Sequence, residues 1–196
     1  MNFPMRSNSF LGKLRKNTAG YISVQHTQPD AIEQLSESIH QHLLTVPNYR
    51  PIVVLCVGTD RSTGDALGPL VGSALMSTTN TPIYGTLNDP VHALNLTERV
   101  ESIQRSFVQP YILAIDACLG QTSSVGTIHA GEGPVKPGAG VKKELPPVGE
   151  YHITGVVNIS GYMEFYVLQN TRLSLVFQMS EVIADSLRAA LQHRNH

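Results

Sequence analysis

Apolar and polar positions along this chain fall into alternating blocks. Asp30 and Glu33 read as an N-cap pair opening a helix, and Ile32, Leu35, Ile39 and Leu43 follow at spacings of three and four, one apolar face that ends at Pro47. The uncharged, β-branched run Ile52–Val57, closed by Gly58, reads as a strand buried on both faces. A polar loop from Thr59 to Gly64 leads into a helix predicted over 66–76. The alternation goes on with a strand over 82–87 and a helix over 91–107 that carries Leu96, Val100, Ile103 and Phe107 on one face. Next come strands over 111–115, 125–130 and 152–157, and a short helix over 161–168. A long helix over 173–192 buries Val176, Met179, Ile183, Leu187 and Leu191. Between the last two strands, residues 131–150 form a Gly/Pro-rich loop, long enough inside a compact domain to signal function.

Strands alternating with helices predict an α/β fold: a three-layer sandwich whose mostly parallel sheet is covered by helices on both faces. In such sheets the ligand crevice lies beyond the carboxyl ends of the strands. Residues 1–29 stand apart. They hold Arg6, Lys13, Arg15 and Lys16 and no acid, about +4 by count, and read as a basic, disordered leader ahead of a single domain over 30–193.

Composition narrows the function classes. Hydrophobic residues make up 41% and charged residues 15% of the 196, which supports a packed core and argues against disorder. The formal net charge of -1 gives no basic signature of nucleic-acid binding. No apolar run reaches the length of a membrane span, so no membrane partner is expected. Cys56 and Cys118 are too few for a disulfide framework and fit a reducing, cytoplasmic setting.

Two strand ends carry the candidate chemistry. The strand over 52–57 runs into a loop that reaches Asp65, and the strand over 111–115 ends at Asp116. If those strands are neighbours, the two carboxylates face one crevice. Paired carboxylates repel as dianions, so one holds a proton at a raised pKa while the other activates water. The same pair, joined by His152, could instead hold a divalent metal. The competing assignments are structural: Asp65 as a helix cap, Asp116 as a turn residue and His152 as a hydrogen-bonded strand-edge histidine. Asp60 is a weaker third carboxylate. Lys142 and Lys143, beside Gly138 and Gly140, could present cationic and amide groups to a substrate. A thiol-protease reading would use Cys118 with His129 or His152. The loop lacks the lysine of a phosphate-binding loop, and the chain has no G-x-S-x-G elbow.

The stretch Val54–Pro69, the segment Ile115-Asp116-Ala117, the loop Pro137-Gly138-Ala139-Gly140-Val141 and the tail from Ser160-Gly161-Tyr162-Met163-Glu164-Phe165 through Val167–Leu173 together resemble the spore protease YyaC family, over roughly residues 30–190. That family is similar to the germination protease of endospore-forming bacteria and, more distantly, to the nickel-hydrogenase maturation proteases. The resemblance implies a phosphorylase/hydrolase-like α/β sandwich and an aspartic-type endopeptidase with Asp65 and Asp116 as catalytic carboxylates. It implies substrate binding at Gly138, Gly140 and Val141, next to which Lys142 is a substrate-binding candidate from its own chemistry. No cofactor is expected from it, with a divalent metal at His152 as the maturation-protease variant. The implied partners are a protein or peptide substrate, small acid-soluble spore proteins among them, and a homo-oligomer is compatible with it. The implied setting is the cytoplasm of a sporulating cell, mother cell or forespore. A non-catalytic module that grips a spore protein through the Gly/Pro loop is the alternative.

Overall fold

The computed structural model describes residues 20–138 and 145–192. Six strands form one sheet: β1 (Tyr21–Gln25), β2 (Ile52–Cys56), β3 (Ile83–Tyr84), β4 (Tyr111–Gly120), β5 (Thr127–Glu132) and β6 (Tyr151–Ile159). The helices are α1 (Ala31–Thr45), α2 (Leu67–Met76), α3 (Leu96–Ser106), α4 (Glu164–Gln169) and α5 (Leu173–Gln192). The sheet order is β1-β5-β6-β4-β2-β3. Strands β3, β2, β4 and β6 are parallel to one another, while β5 is antiparallel to both β6 and β1. Only β5 therefore runs against the other five.

The pleat sorts side chains between two cores. On one face Val54, Cys56, Leu113, Ile115, Ile128 and Ile153 meet the buried stripes of α1, α2 and α5. On the other, Val53, Leu55, Ile112 and Ala114 meet Leu96 and Ile103 of α3, together with Val135 and Val148 from the segment ahead of β6. The result is a three-layer α/β sandwich, as the alternation predicts.

Several expectations are corrected. The boundary at residue 29 falls inside the fold, because Tyr21–Gln25 pairs along β5 with Ile22 and Val24 buried. Residues 1–19 of the expected leader lie outside the described residues. Asp30 makes no side-chain cap; its Oδ2 accepts from Gln34 Nε2 at 2.6 Å instead. Ile32 is 39% exposed, and Ala31 takes its place in the buried stripe. The strand expected over 82–87 shrinks to two residues, since Gly85 turns away at a φ of +86° with no room for a Cβ against the Cys56 carbonyl. The helix expected from Val91 begins at Leu96: Val91 bridges Val57, and the His92 N–H donates to Asn95 Oδ1 at 2.8 Å. The long loop is partly ordered by an antiparallel bridge between Val135 and Val148.

The α1 stripe gives a direct stability test. Leu35 is fully buried, so Leu35→Ala is expected to lower the unfolding free energy by about 2–5 kcal/mol. Ile32→Ala is expected to cost about 1 kcal/mol or less. Equal losses in denaturant titrations would show that the stripe is misassigned.

Candidate active site

Backbone packing decides where Asp65 sits. Chain leaving β2 passes Val57, whose N–H donates to the Ile115 carbonyl at 2.7 Å, so β2 ends beside the middle of β4, which continues past the expected strand end at Asp116 to Gly120. Gly58 follows at a φ of +145°, and its missing Cβ would stand 2.0 Å from the Asp65 carbonyl oxygen. At the second residue of α2, a Cβ on Gly68 would stand 2.1 Å from the Val57 carbonyl oxygen. Only glycine permits either approach. Together they press the 3₁₀ turn Gly64–Ala66 and the start of α2 against the carboxyl edge of β2. The Thr59 N–H closes the loop onto the Asp65 carbonyl at 3.1 Å.

This arrangement places Asp65 and Asp116 on one cavity of about 420 Å³, which Thr59, Ser62 and His92 also line. Asp116 belongs to β4, on the sheet face that carries Ile112 and Ala114, and its Oδ1 accepts the Ala117 N–H at 2.9 Å. Burial pushes its pKa up to about 8, and the neighbouring Asp65 charge adds to the rise. Burial also raises Asp65, an effect opposed by the Ser62 hydroxyl. Ser62 Oγ is itself buried and meets full hydrogen-bond geometry with no protein atom, yet it lies near enough to Asp65 to favour the ionised carboxylate. The capping assignment fails for Asp65, because α2 starts without any side-chain cap.

The other predicted residues divide. Gly138 lines the cavity, whereas Gly140, Val141, Lys142 and Lys143 lie outside the described residues. Asp60 is exposed and is not among the lining residues. His152 does not join the carboxylates. Its register partner on β4 is Ala114, whereas Asp116 faces Thr154, and two residues along a strand amount to roughly 6.6 Å. Its Nδ1 donates to the Gly133 carbonyl at 3.2 Å, the hydrogen bond expected of a strand-edge histidine, and the offset along the strand is what separates it from the carboxylate pair. Cys118 does line the cavity, but burial pushes its thiol up to about 11, Asp116 adds to the rise, and neither His129 nor His152 shares that cavity. A protonated thiol is a poor nucleophile.

His92 is a cavity residue that the sequence reading missed, because it fell inside a predicted helix. The bridge between Val57 and Val91 carries it past the end of β3. Its Nδ1 accepts the Leu94 N–H at 3.3 Å, so the neutral ring carries its proton on Nε2.

The raised Asp116 predicts a pH-dependent stability. Its folded pKa of about 8 lies above that of an unfolded aspartate. The folded state therefore holds an extra proton between about pH 4 and 8, and this contribution to stability is lost as pH rises through that window. Asp116→Asn is expected to stabilise the protein relative to wild type at pH 9, with the difference shrinking toward pH 5 in thermal melts. In Asp65→Asn, an NMR titration is expected to find Asp116 lowered but still above the ordinary aspartate range, since burial is its larger cause.

Comparison with known proteins places the chain. Residues 23–186 match the family described as "Protein of unknown function (DUF1256)". The "Uncharacterized protein YyaC" of Bacillus subtilis (strain 168) is 51% identical over 166 residues, 84% of this chain and 80% of that one. A solved [NiFe] hydrogenase maturation protease, HycI from Thermococcus kodakarensis KOD1, overlaps 72% of this chain and 92% of its own at 18% identity and a TM-score of 0.49, too slight a likeness to carry fold or chemistry across. With the family match spanning both aspartates and the sequence identity extending over most of the chain, this protein belongs to the DUF1256 family, with YyaC of Bacillus subtilis among its relatives.

Proposed function

We propose that the protein is an aspartic-type peptidase that hydrolyses peptide bonds with Asp65 and Asp116. The observation that supports this reading most is the confinement on one cavity of two carboxylates, both with raised pKa, one inside β4 and one on the turn that follows β2. Such a pair holds one proton near neutral pH. Asp116 has the higher proton affinity and holds it, and Asp65, favoured in its ionised form by Ser62, is the base.

In the proposed reaction a water between the carboxylates gives a proton to Asp65 as its oxygen bonds to the peptide carbonyl carbon. Asp116 donates its proton to the carbonyl oxygen, which becomes the hydroxyl of a tetrahedral intermediate. As the C–N bond breaks, the proton on Asp65 passes to the departing nitrogen, and the hydroxyl proton returns to Asp116 as the carboxyl product forms. Each atom and proton is accounted for, and both carboxyls recover their starting states. His92, with its proton on Nε2, is a donor available to the substrate backbone. Spore proteins as substrates, and a sporulating cell as the setting, belong to the same proposal and are supported by the resemblance to the spore protease family.

The test is mass-spectrometric detection of fragments from small acid-soluble spore proteins. Asp65→Asn and Asp116→Asn are each expected to lower turnover by at least about 10². Full activity in either variant would falsify the mechanism, and substrate retained without any fragments would favour the binding module. Ser62→Ala removes the hydroxyl that favours ionised Asp65, so the acidic limb of the pH–rate profile is expected to move to higher pH. An unmoved limb would remove Ser62 from the mechanism.

A further inference from the structure

The cavity has two chemically distinct linings. Beside the polar set lies an apolar one, Leu94, Leu119, Leu145, Phe165 and Leu168. These five come from four places in the chain: the turn before α3, the end of β4, the segment ahead of β6, and α4. Convergence from four places is not the by-product of one helix face. Two of the five are left open, with Leu94 85% and Phe165 50% exposed. Large apolar side chains gathered around a few polar groups in a concave site are the pattern of a ligand pocket rather than of a surface.

The α4 wall is held in place. Asn158 Nδ2 donates to the Val167 carbonyl at 3.2 Å and to Thr171 Oγ1 at 3.1 Å, and Thr171 Oγ1 in turn donates to the Val167 carbonyl at 2.9 Å. Leu168 is buried so tightly against the turn bearing Asp65 that a Cβ on Gly64 would stand 2.7 Å from its Cδ2. The α4 part of the apolar wall is therefore packed directly against the turn that bears Asp65.

Charge sets a further constraint. A cationic guest beside the pair would favour both carboxylates ionised and drive off the shared proton, and an anionic guest would be repelled by Asp65. A charge of either sign would also lose its hydration against the apolar lining, a cost that a neutral side chain does not incur. We propose that the apolar lining is a side-chain subsite, which takes a bulky aliphatic or aromatic residue of the polypeptide next to the bond presented to Asp65 and Asp116 and rejects charged residues there. This rests on the peptidase reading for the identity of the chain that enters.

The experiment uses short labelled peptides, identical except for one central Phe, Leu, Ser, Glu or Lys. Affinity is read by fluorescence anisotropy on the Asp65→Asn/Asp116→Asn protein, and cleavage is read by mass spectrometry on the wild type. The Phe and Leu peptides are expected to bind at least about tenfold tighter than the other three. Phe165→Ser and Leu94→Ser, added singly to that double variant, are expected to erase the preference. Both positions are half or more exposed, so the fold is expected to survive, as thermal melts would check. Equal affinities across the five peptides, or no binding of any, would overturn the subsite. Selective binding without cleavage would support the subsite and remove the peptidase reading. Cleavage indifferent to the central residue would do the reverse.

Discussion

Two backbone contacts with no room for a side chain hold this site together. The Asp65 carbonyl fills the space where a Cβ of residue 58 would stand, and the Val57 carbonyl does the same for residue 68. Each fastens the turn bearing Asp65 to the end of β2, and β2 lies beside β4, which carries Asp116. The meeting of the carboxylates is thus a property of backbone packing. Their own side chains favour separation, since like charges in a shared, poorly solvated space repel. The sheet order and the two glycines supply the constraint that keeps them together, and a raised proton affinity is its cost.

Much of the scaffold was legible in the sequence because periodicity was strong there. α5 follows its apolar spacing of three and four residue for residue, and the five residues of β2 are all buried as an uncharged run implies. β1 is masked in the sequence for a physical reason. Its Tyr-Ile-Ser-Val-Gln alternation is a proper half-buried strand pattern, but five residues of it lie behind a basic stretch whose charge dominates any wider window. β3 is shorter than its apolar run implies, because such a run does not reveal that Gly85 must turn away beneath the Cys56 carbonyl.

The site was half legible. A carboxylate closing an uncharged run marks Asp116, although β4 continues past it to Gly120, and glycines flanking a post-strand loop mark Asp65. That β2 and β4 are neighbours is a matter of sheet order, which one sequence does not encode locally. His152 failed by register. It lies on the same sheet face as Asp116, but one alternate position short of the Thr154 that stands beside it. His92 was hidden by the opposite error, an assumed helix where Val91 is a bridge residue. A histidine just beyond a short parallel strand sits at the same sheet edge as the aspartates, and that position was the signal available.

The direct packing of Leu168 against the Asp65 turn ties occupancy of the cavity to protonation. A guest seated on the apolar lining displaces water from beside both carboxyls, and a less hydrated carboxyl holds its proton more tightly. Binding of a neutral guest therefore draws in a proton, and by reciprocity protonation strengthens binding. For such a guest, acidity and concentration are two handles on a single equilibrium.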